Sequence, residues 1–230
     1  MGILKSRSRV IVFSLLVTGV VAFWATASMA SRPAERAMLP TEKEIAQDVF
    51  CDADFESDKL VEVVDTGEGE FKTQSVGDPV PMAVRIGKPY VSRNGLKTVP
   101  LRILTSGGRH FGEGIGETRF WFDPTRPVES AIWEKTSGTE FPAIQEMRFH
   151  FFFTMESRPG KLYRSMKPAT MRSDNVLAFP PPLNTNYRLI KAVDVEDVSK
   201  PGVVALRIKS NRVVLLQPSH VIDREEYRPM

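Results

Sequence analysis

The sequence predicts an all-β fold, a β-sandwich of about ten short strands preceded by a short N-terminal helix. Apolar and polar residues alternate with period two over most of the chain, which is typical of strands with one buried face. The 15 glycines and 17 prolines supply turns between these runs. No long segment has the 3.6-residue period of an amphipathic helix. Short strands at regular spacing favour a sandwich or a barrel, and of the two we expect the sandwich.

Alternating runs locate the individual strands. The longest lies within residues 144–157, where one face carries Met147, Phe149, Phe151, Phe153 and Met155. The remaining runs fall between turn-forming residues, at 59–65, 81–89, 96–105, 117–123, 128–135, 171–179, 187–195, 203–209 and 212–217. Between the last two runs, the dipeptide Ser210-Asn211 predicts a tight hairpin turn.

The predicted helix lies upstream of these strands. Thr41 to Glu44 form a capping box, in which the threonine hydroxyl and the glutamate each satisfy a free backbone N–H. Ile45, Val49 and Phe50 follow at helical spacing, which predicts a helix over about 42–50. We therefore divide the mature chain into three parts, an acidic spacer with this helix (31–58), the β-sandwich domain (59–220) and a polar tail (221–230).

The first thirty residues have the pattern of an export segment. Lys5, Arg7 and Arg9 precede an uncharged stretch, residues 10–30, which ends in Ser28-Met29-Ala30. A basic start, an apolar middle and a small-x-small ending are typical of a secretory signal peptide, with cleavage expected before Ser31. The alternative is an uncleaved anchor in the inner membrane, because a spanning helix needs about 20 apolar residues. Either way, we expect the remainder in the periplasm or outside the cell.

The charge balance argues against a nucleic-acid-binding protein. The whole chain has a formal charge of +3, and Lys5, Arg7 and Arg9 account for all of it. Without them 28 basic residues face 28 acidic ones, whereas a nucleic-acid-binding domain is expected to be basic. Residues 42–78 are acidic and the later residues are basic. This asymmetry favours an acidic N-terminal arm that packs across a basic body; the alternative is that one half contacts a charged partner.

Two segments are candidate binding regions. The glycine-rich stretch 107–117 predicts either a long flexible hairpin or a mobile binding loop that presents Arg109, His110 and Glu113. The second segment is basic and includes Arg158, Lys161 and Arg164, with no acid between Glu156 and Asp174. It predicts either a solvated connection or a contact for an acidic glycan, a lipid head group or another anionic partner.

Aromatic residues alternate along the strand at 117–123, so Trp121 lies on the face opposite Phe120 and Phe122. Core packing on both faces is one interpretation, because aromatic side chains dominate protein cores. The other is an exposed tryptophan, on which the ring of a sugar stacks. Trp121 is therefore a candidate glycan-binding residue.

Metal and catalytic patterns are weak. Asp194, Glu196 and Asp197 cluster at a strand end, where their oxygens suit calcium; we predict no other cofactor. The acidic run at 52–58 lacks the glycine and the glutamate that an EF-hand requires. The sequence contains no G-x-S-x-G nucleophile elbow and no H-E-x-x-H zinc motif.

A resemblance to a known family covers about half of the mature chain. Residues 155–197, from MESRPGKLYRS to KAVDVED, resemble the C-terminal half of a secreted bacterial family of unknown function. The segment FDPTRPVES at 122–130 is similar to an earlier part of the same pattern. The resemblance implies a β-rich exported domain and supplies no catalytic residue.

The sequence favours a non-enzymatic exported protein that binds a cell-envelope component, such as a glycan or a lipid, or a partner protein. We expect contact with the membrane only through residues 10–30, and only if that segment is retained. The alternative is a hydrolase of an envelope polymer, a glycoside hydrolase whose catalytic carboxylates the sequence does not identify.

Overall fold

The structure is a computed structural model that describes Leu39 and residues 50–53, 55–76, 82–216 and 220–222. The predicted export segment (1–30), nearly all of the predicted helix (about 42–50) and most of the predicted tail (221–230) lie outside the described residues. Phe50, the last residue of the predicted helix, is in a strand. The described ranges contain no helix that is long and apolar enough to cross a membrane.

The described residues form seventeen β-strands. In chain order they are β1 (Phe50–Ala53), β2 (Phe55–Val63), β3 (Gly69–Ser75), β4 (Met82–Ile86), β5 (Tyr90–Val91), β6 (Lys97–Thr105), β7 (Gly107–Gly112), β8 (Gly116–Phe122), β9 (Ser130–Thr136), β10 (Thr139–Phe149), β11 (Phe151–Met155), β12 (Tyr163–Ser165), β13 (Ala169–Val176), β14 (Asn186–Leu189), β15 (Val193–Asp197), β16 (Val204–Leu215) and β17 (His220–Ile222).

Eight of these strands close a barrel. Each is antiparallel to the next, in the order β2, β3, β7, β8, β11, β12, β15 and β16. The ring closes because β16 also pairs with β2, from Leu206 opposite Val63 to Leu215 opposite Phe55. The other strands extend the barrel wall, and their pairings include β4–β6, β6–β9, β9–β10 and β10–β13.

The predicted sandwich is therefore wrong, and the fold is a closed β-barrel with additional strands. A sandwich and a barrel both bury alternate residues of each strand, so the period-two pattern does not separate them. What separates them is the pairing of β2 with β16, whose residues are more than 140 positions apart along the chain. Residues 107–112, predicted as part of a glycine-rich loop, are in fact β7.

The predicted hairpin at Ser210-Asn211 is also wrong. β16 runs without a turn from Val204 to Leu215, and its register against β2 shifts between Ile208 and Ser210. A polar dipeptide between two apolar runs has the same local pattern at a bulge as at a turn, because a bulge also interrupts the alternation.

Alternate side chains fill the barrel. The predicted apolar face of residues 147–155 is confirmed, with Phe149, Phe151 and Phe153 all buried. Phe120 of β8 packs against Phe149 and Phe151, at ring-centroid distances of 5.8 and 5.3 Å. An eight-stranded barrel is just wide enough for side chains to fill its interior, and here aromatic rings occupy much of it.

Candidate binding sites

The glycine-rich segment does not form the predicted binding loop. β7 and β8 make a tight hairpin around residues 113–115, in which Gly112 pairs with Gly116. Positive φ angles of 88° at Gly114 and 70° at Gly116 allow the turn. Arg109 lies on the outer face and Glu113 is exposed in the turn, whereas His110 is 1% exposed inside the barrel. The hairpin therefore separates the three residues that the loop interpretation had grouped.

Trp121 lies on the outer surface of the barrel, where it is 38% exposed. Phe152 of β11 is its cross-strand partner; the two ring centroids are 5.8 Å apart and the planes differ by 31°. Gly107 opposes Trp121 on the other side, in β7, and contributes no side chain against the indole. Trp121 and Phe152 thus form an open aromatic surface, which we call the aromatic platform.

Arginines lie next to the platform. Arg109 and Arg119 occupy directly opposed positions on β7 and β8, with side chains that are 52% and 64% exposed. Both contact Glu117, whose carboxylate lies 2.7 Å from Arg119 Nε and 3.7 Å from Arg109 Nη1. Two guanidinium groups share one carboxylate, so this edge of the platform keeps a positive charge. Like charges on directly opposed strand positions repel each other, and an anion placed between them would relieve that repulsion.

The predicted basic segment is engaged by acidic residues. Arg158 donates to both carboxylate oxygens of Asp65 and to Glu68. Lys161 Nζ lies 2.8 Å from Asp197, and Arg164 Nε lies 2.6 Å from Glu196. Arg164 also opposes Phe152 across β11 and β12, which places it near the platform. Of these three cations, Arg164 is the one whose strand position opposes a platform residue.

The three predicted calcium ligands each have a protein partner. Asp194 accepts from Arg207, at 2.7 Å. A hydrogen bond from the Gly202 N–H and then one from Arg164 lower the pKa of Glu196. Hydrogen bonds from Lys161 and Ser199 lower the pKa of Asp197. In the described part of the chain no three His, Cys, Asp or Glu side chains are grouped to hold a metal, so calcium binding stays a prediction.

A buried polar cluster inside the barrel was missed by the sequence analysis. Lys59 Nζ lies 2.5 Å from His110 Nε2 and donates to Ser57 Oγ at 3.3 Å. Ser57 Oγ lies 2.5 Å from the same ring nitrogen. Ser75 joins through its hydroxyl, which accepts from the Ser57 N–H at 2.7 Å. The available indication was the alternation in β2, which places Lys59 on the same face as Val61 and Val63.

Burial determines the ionisation of this cluster. Loss of hydration lowers the pKa of Lys59 to about 7, although the carboxylate of Asp58 acts in the opposite direction. His110 is affected more strongly, because burial and then the neighbouring Lys59 lower its pKa to about 2. Among the described residues no carboxylate is within ion-pair distance of Lys59. The Phe120 ring, 5.2 Å from Nζ, is its aromatic neighbour.

A small cavity of about 20 Å³ lies beside Lys59 in the barrel interior. Phenylalanine and aliphatic side chains make up most of its wall, and Asn211 adds a polar group. This volume is close to that of a single water molecule. The interior is thus filled by side chains, and a ligand of ordinary size would need another surface.

Comparisons with known proteins identify the fold and leave the function open. No protein-family model matches the chain, and no curated protein matches it in sequence. A similar solved structure is that of DynF, from the dynemicin biosynthesis pathway of Micromonospora chersina. The TM-score is 0.60 at 14% identity, over 77% of this chain and 83% of DynF. At this identity the likeness concerns the fold alone, and it supports the barrel over the sandwich.

Proposed function

We propose that this protein is an exported, non-enzymatic barrel that binds an anionic glycan of the cell envelope on the aromatic platform. The carrying observation is the exposed pair of Trp121 and Phe152, whose rings form one surface beside Gly107. Tryptophan and tyrosine are enriched at binding interfaces because they combine a large apolar area with a polar group. A sugar ring has apolar C–H faces that stack on such a surface.

The charge beside the platform favours an anionic glycan over a neutral one. Arg109 and Arg119 share the single carboxylate of Glu117, and Arg164 lies on the far side of Phe152. Guanidinium groups bind planar carboxylates through two parallel hydrogen bonds, which suits a sugar acid. A lipid surface or a protein partner would use the same charge, but neither requires two rings arranged as a platform.

The hydrolase alternative receives less support. A glycoside hydrolase needs a carboxylic acid with a raised pKa that can protonate the leaving group. Six described carboxyl groups have displaced pKa values, and each value is lowered, at Glu68, Glu117, Asp123, Asp174, Glu196 and Asp197. None of these six has the property that the general acid requires.

We expect Trp121→Ala to weaken glycan binding by roughly tenfold or more, because it removes the larger ring of the platform. Binding to acidic and neutral envelope glycans is measured by calorimetry, at low and high salt. Trp133→Ala is the matched control, since Trp133 is another partly exposed tryptophan, but it lies in β9, outside the platform, with Arg172 5.9 Å from its ring. The proposal would be contradicted if both variants lost the same glycan affinity, or if the wild-type protein bound none of the glycans.

Export is tested separately by mass spectrometry of the native N-terminus. Cleavage of the predicted signal peptide gives a chain that begins at Ser31 and is released into the periplasm or medium. A chain that begins at Met1 and sediments with membranes would show a retained anchor. An intact chain in the soluble cytoplasmic fraction would contradict export in either form.

A further inference from the structure

A third exposed aromatic ring lies on the same outer face of the barrel as the aromatic platform. Phe111 of β7 is 54% exposed, and the alternation of this strand turns it outward together with Arg109, two positions earlier. Its cross-strand neighbours are Gln74 of β3 and Glu117 of β8. Single exposed apolar residues are common on protein surfaces, so what distinguishes Phe111 is its position relative to the platform.

Cross-strand pairs on this outer face form three successive rows along β7 and β8, namely Gly107 with Trp121, Arg109 with Arg119, and Phe111 with Glu117. Successive rows are two residues apart on each strand, and a strand rises about 3.4 Å per residue. The arginine row therefore lies about 7 Å from each aromatic row, and about 14 Å separates Phe111 from Trp121 along the strands. This order of ring, cations and ring suits a ligand of three or four linked rings that carries an anionic group between its ends.

The charge of this surface changes sign from one row to the next. The middle row carries two exposed guanidinium groups. Glu117 belongs to the row of Phe111, and its backbone N–H donates to the carboxylate of Glu156 at 2.9 Å. Glu113 is exposed in the adjoining turn, which adds a third carboxylate at this end. An acidic group of a ligand is therefore favoured in the middle row and repelled beside Phe111.

We propose that the platform and Phe111 together bind an oligosaccharide in which neutral and acidic sugars alternate, and that this ligand lies along β7 and β8. One neutral ring stacks on the platform, the acidic sugar places its carboxylate between Arg109 and Arg119, and the next neutral ring stacks on Phe111. Gln74 is exposed beside Phe111 and offers a donor and an acceptor to sugar hydroxyls. The ligand is still the anionic glycan of the proposed function, on which this inference rests; its length, orientation and charge pattern are new.

Titration calorimetry on the full chain at low salt tests this proposal. The probes are hyaluronan oligosaccharides, in which acidic and neutral sugars alternate, all-acidic oligogalacturonates, all-neutral chito-oligosaccharides and the acidic peptide poly-L-glutamate. We expect the alternating tetrasaccharide to bind at least about tenfold more tightly than each of the other three kinds of probe. It should also bind at least about tenfold more tightly than the alternating disaccharide, which is too short to reach from the platform to Phe111.

The variant Phe111→Ala separates the far end of the site from the platform itself. We expect it to lose at least about tenfold in affinity for the alternating tetrasaccharide and to bind the disaccharide like wild type. Tyr90→Ala is the matched control, because Tyr90 is 48% exposed in β5, outside the three rows, and its removal should leave both affinities unchanged. Glu117→Gln removes a carboxylate beside Phe111, so it should raise the affinity for oligogalacturonate.

Two results would overturn the proposal. One is equal affinity for the disaccharide and the tetrasaccharide, with both bound normally by Phe111→Ala, which would confine the ligand to the platform. The other is that oligogalacturonate or poly-L-glutamate binds as tightly as the alternating tetrasaccharide, which would show recognition of charge alone. The first result leaves the proposed function standing as long as Trp121→Ala still weakens binding. A protein that binds no glycan of any length would contradict both.

Discussion

Replacing Lys59 with methionine is expected to stabilise the protein by about 1 to 4 kcal/mol near pH 6. The wild-type ammonium is surrounded at this pH by Phe120, His110 and Ser57, and no described carboxylate compensates its charge. Methionine has a similar length and carries no charge, so it fills the same space without the cost of burying an ion. His110 keeps the hydroxyl of Ser57 as its partner.

The same substitution should change how stability depends on pH. The pKa of Lys59 is about 7 in the folded protein and 10.5 as the ordinary value. Between these values the unfolded chain binds more protons than the folded one, so the free energy of unfolding rises with pH. The rise from about pH 7 to about pH 9 should be on the order of 2 kcal/mol in the wild type and absent in Lys59→Met.

Chemical denaturation at several pH values measures both effects. Lys135→Met is the matched control, because Lys135 is an exposed residue of β9 and its replacement should leave the slope unchanged. A Lys59→Met variant that is less stable than wild type near pH 6 would show that the ammonium contributes favourably. A slope equal to that of the wild type would show that Lys59 is not the group that titrates.

Acid is expected to destabilise the protein through His110, in a range where most carboxylates are still charged. The folded-state pKa of His110 is about 2, against 6.5 as the ordinary value. Below about pH 6.5 the unfolded chain takes up a proton that the folded protein excludes. The free energy of unfolding therefore decreases as the pH is lowered. By about pH 5 the loss should be roughly 2 kcal/mol. His110→Gln, whose amide does not titrate, should remove most of this loss.

Proton NMR of the histidine rings gives the direct measurement. The His110 resonance should remain that of a neutral imidazole down to about pH 5, in contrast to a histidine in an unfolded peptide. His150→Gln is the control, because His150 is only partly buried; burial and then Arg126 lower its pKa. A His110 resonance that titrates near pH 6.5 would contradict the buried, neutral state.

The alternation of apolar and polar residues located most of the strands, because burial of one face of a strand imposes this alternation on its sequence. The run at 144–157 shows this, since the five residues of its predicted apolar face, from Met147 to Met155, are all buried in β10 and β11. The pattern failed at 107–112, where three glycines hide the alternation, although Arg109 points outward and His110 inward. It failed again at Ser210-Asn211, because a bulge and a turn look alike in sequence.

The candidate sites required the tertiary structure. Alternation puts Phe152 on the face opposite Phe151 and Phe153, but the sequence did not indicate that it lies beside Trp121, 31 residues earlier. The basic run at 158–164 suggested a free charged surface, whereas its three cations are engaged by carboxylates from other strands. Cross-strand contacts depend on which strands are neighbours, and periodicity carries no information about that.

The sequence by itself determined that the described part of the chain consists of strands and which residues of most strands face inward. Its alternation also puts Lys59 on the face of Val61 and Val63. Tertiary structure alone decided that the wall closes into a barrel, because closure depends on the pairing of β2 with β16. It also decided that Lys59 meets His110, 51 positions away, rather than a carboxylate. Alternation is a local consequence of burial, whereas closure and the partners of a buried charge depend on contacts between distant segments.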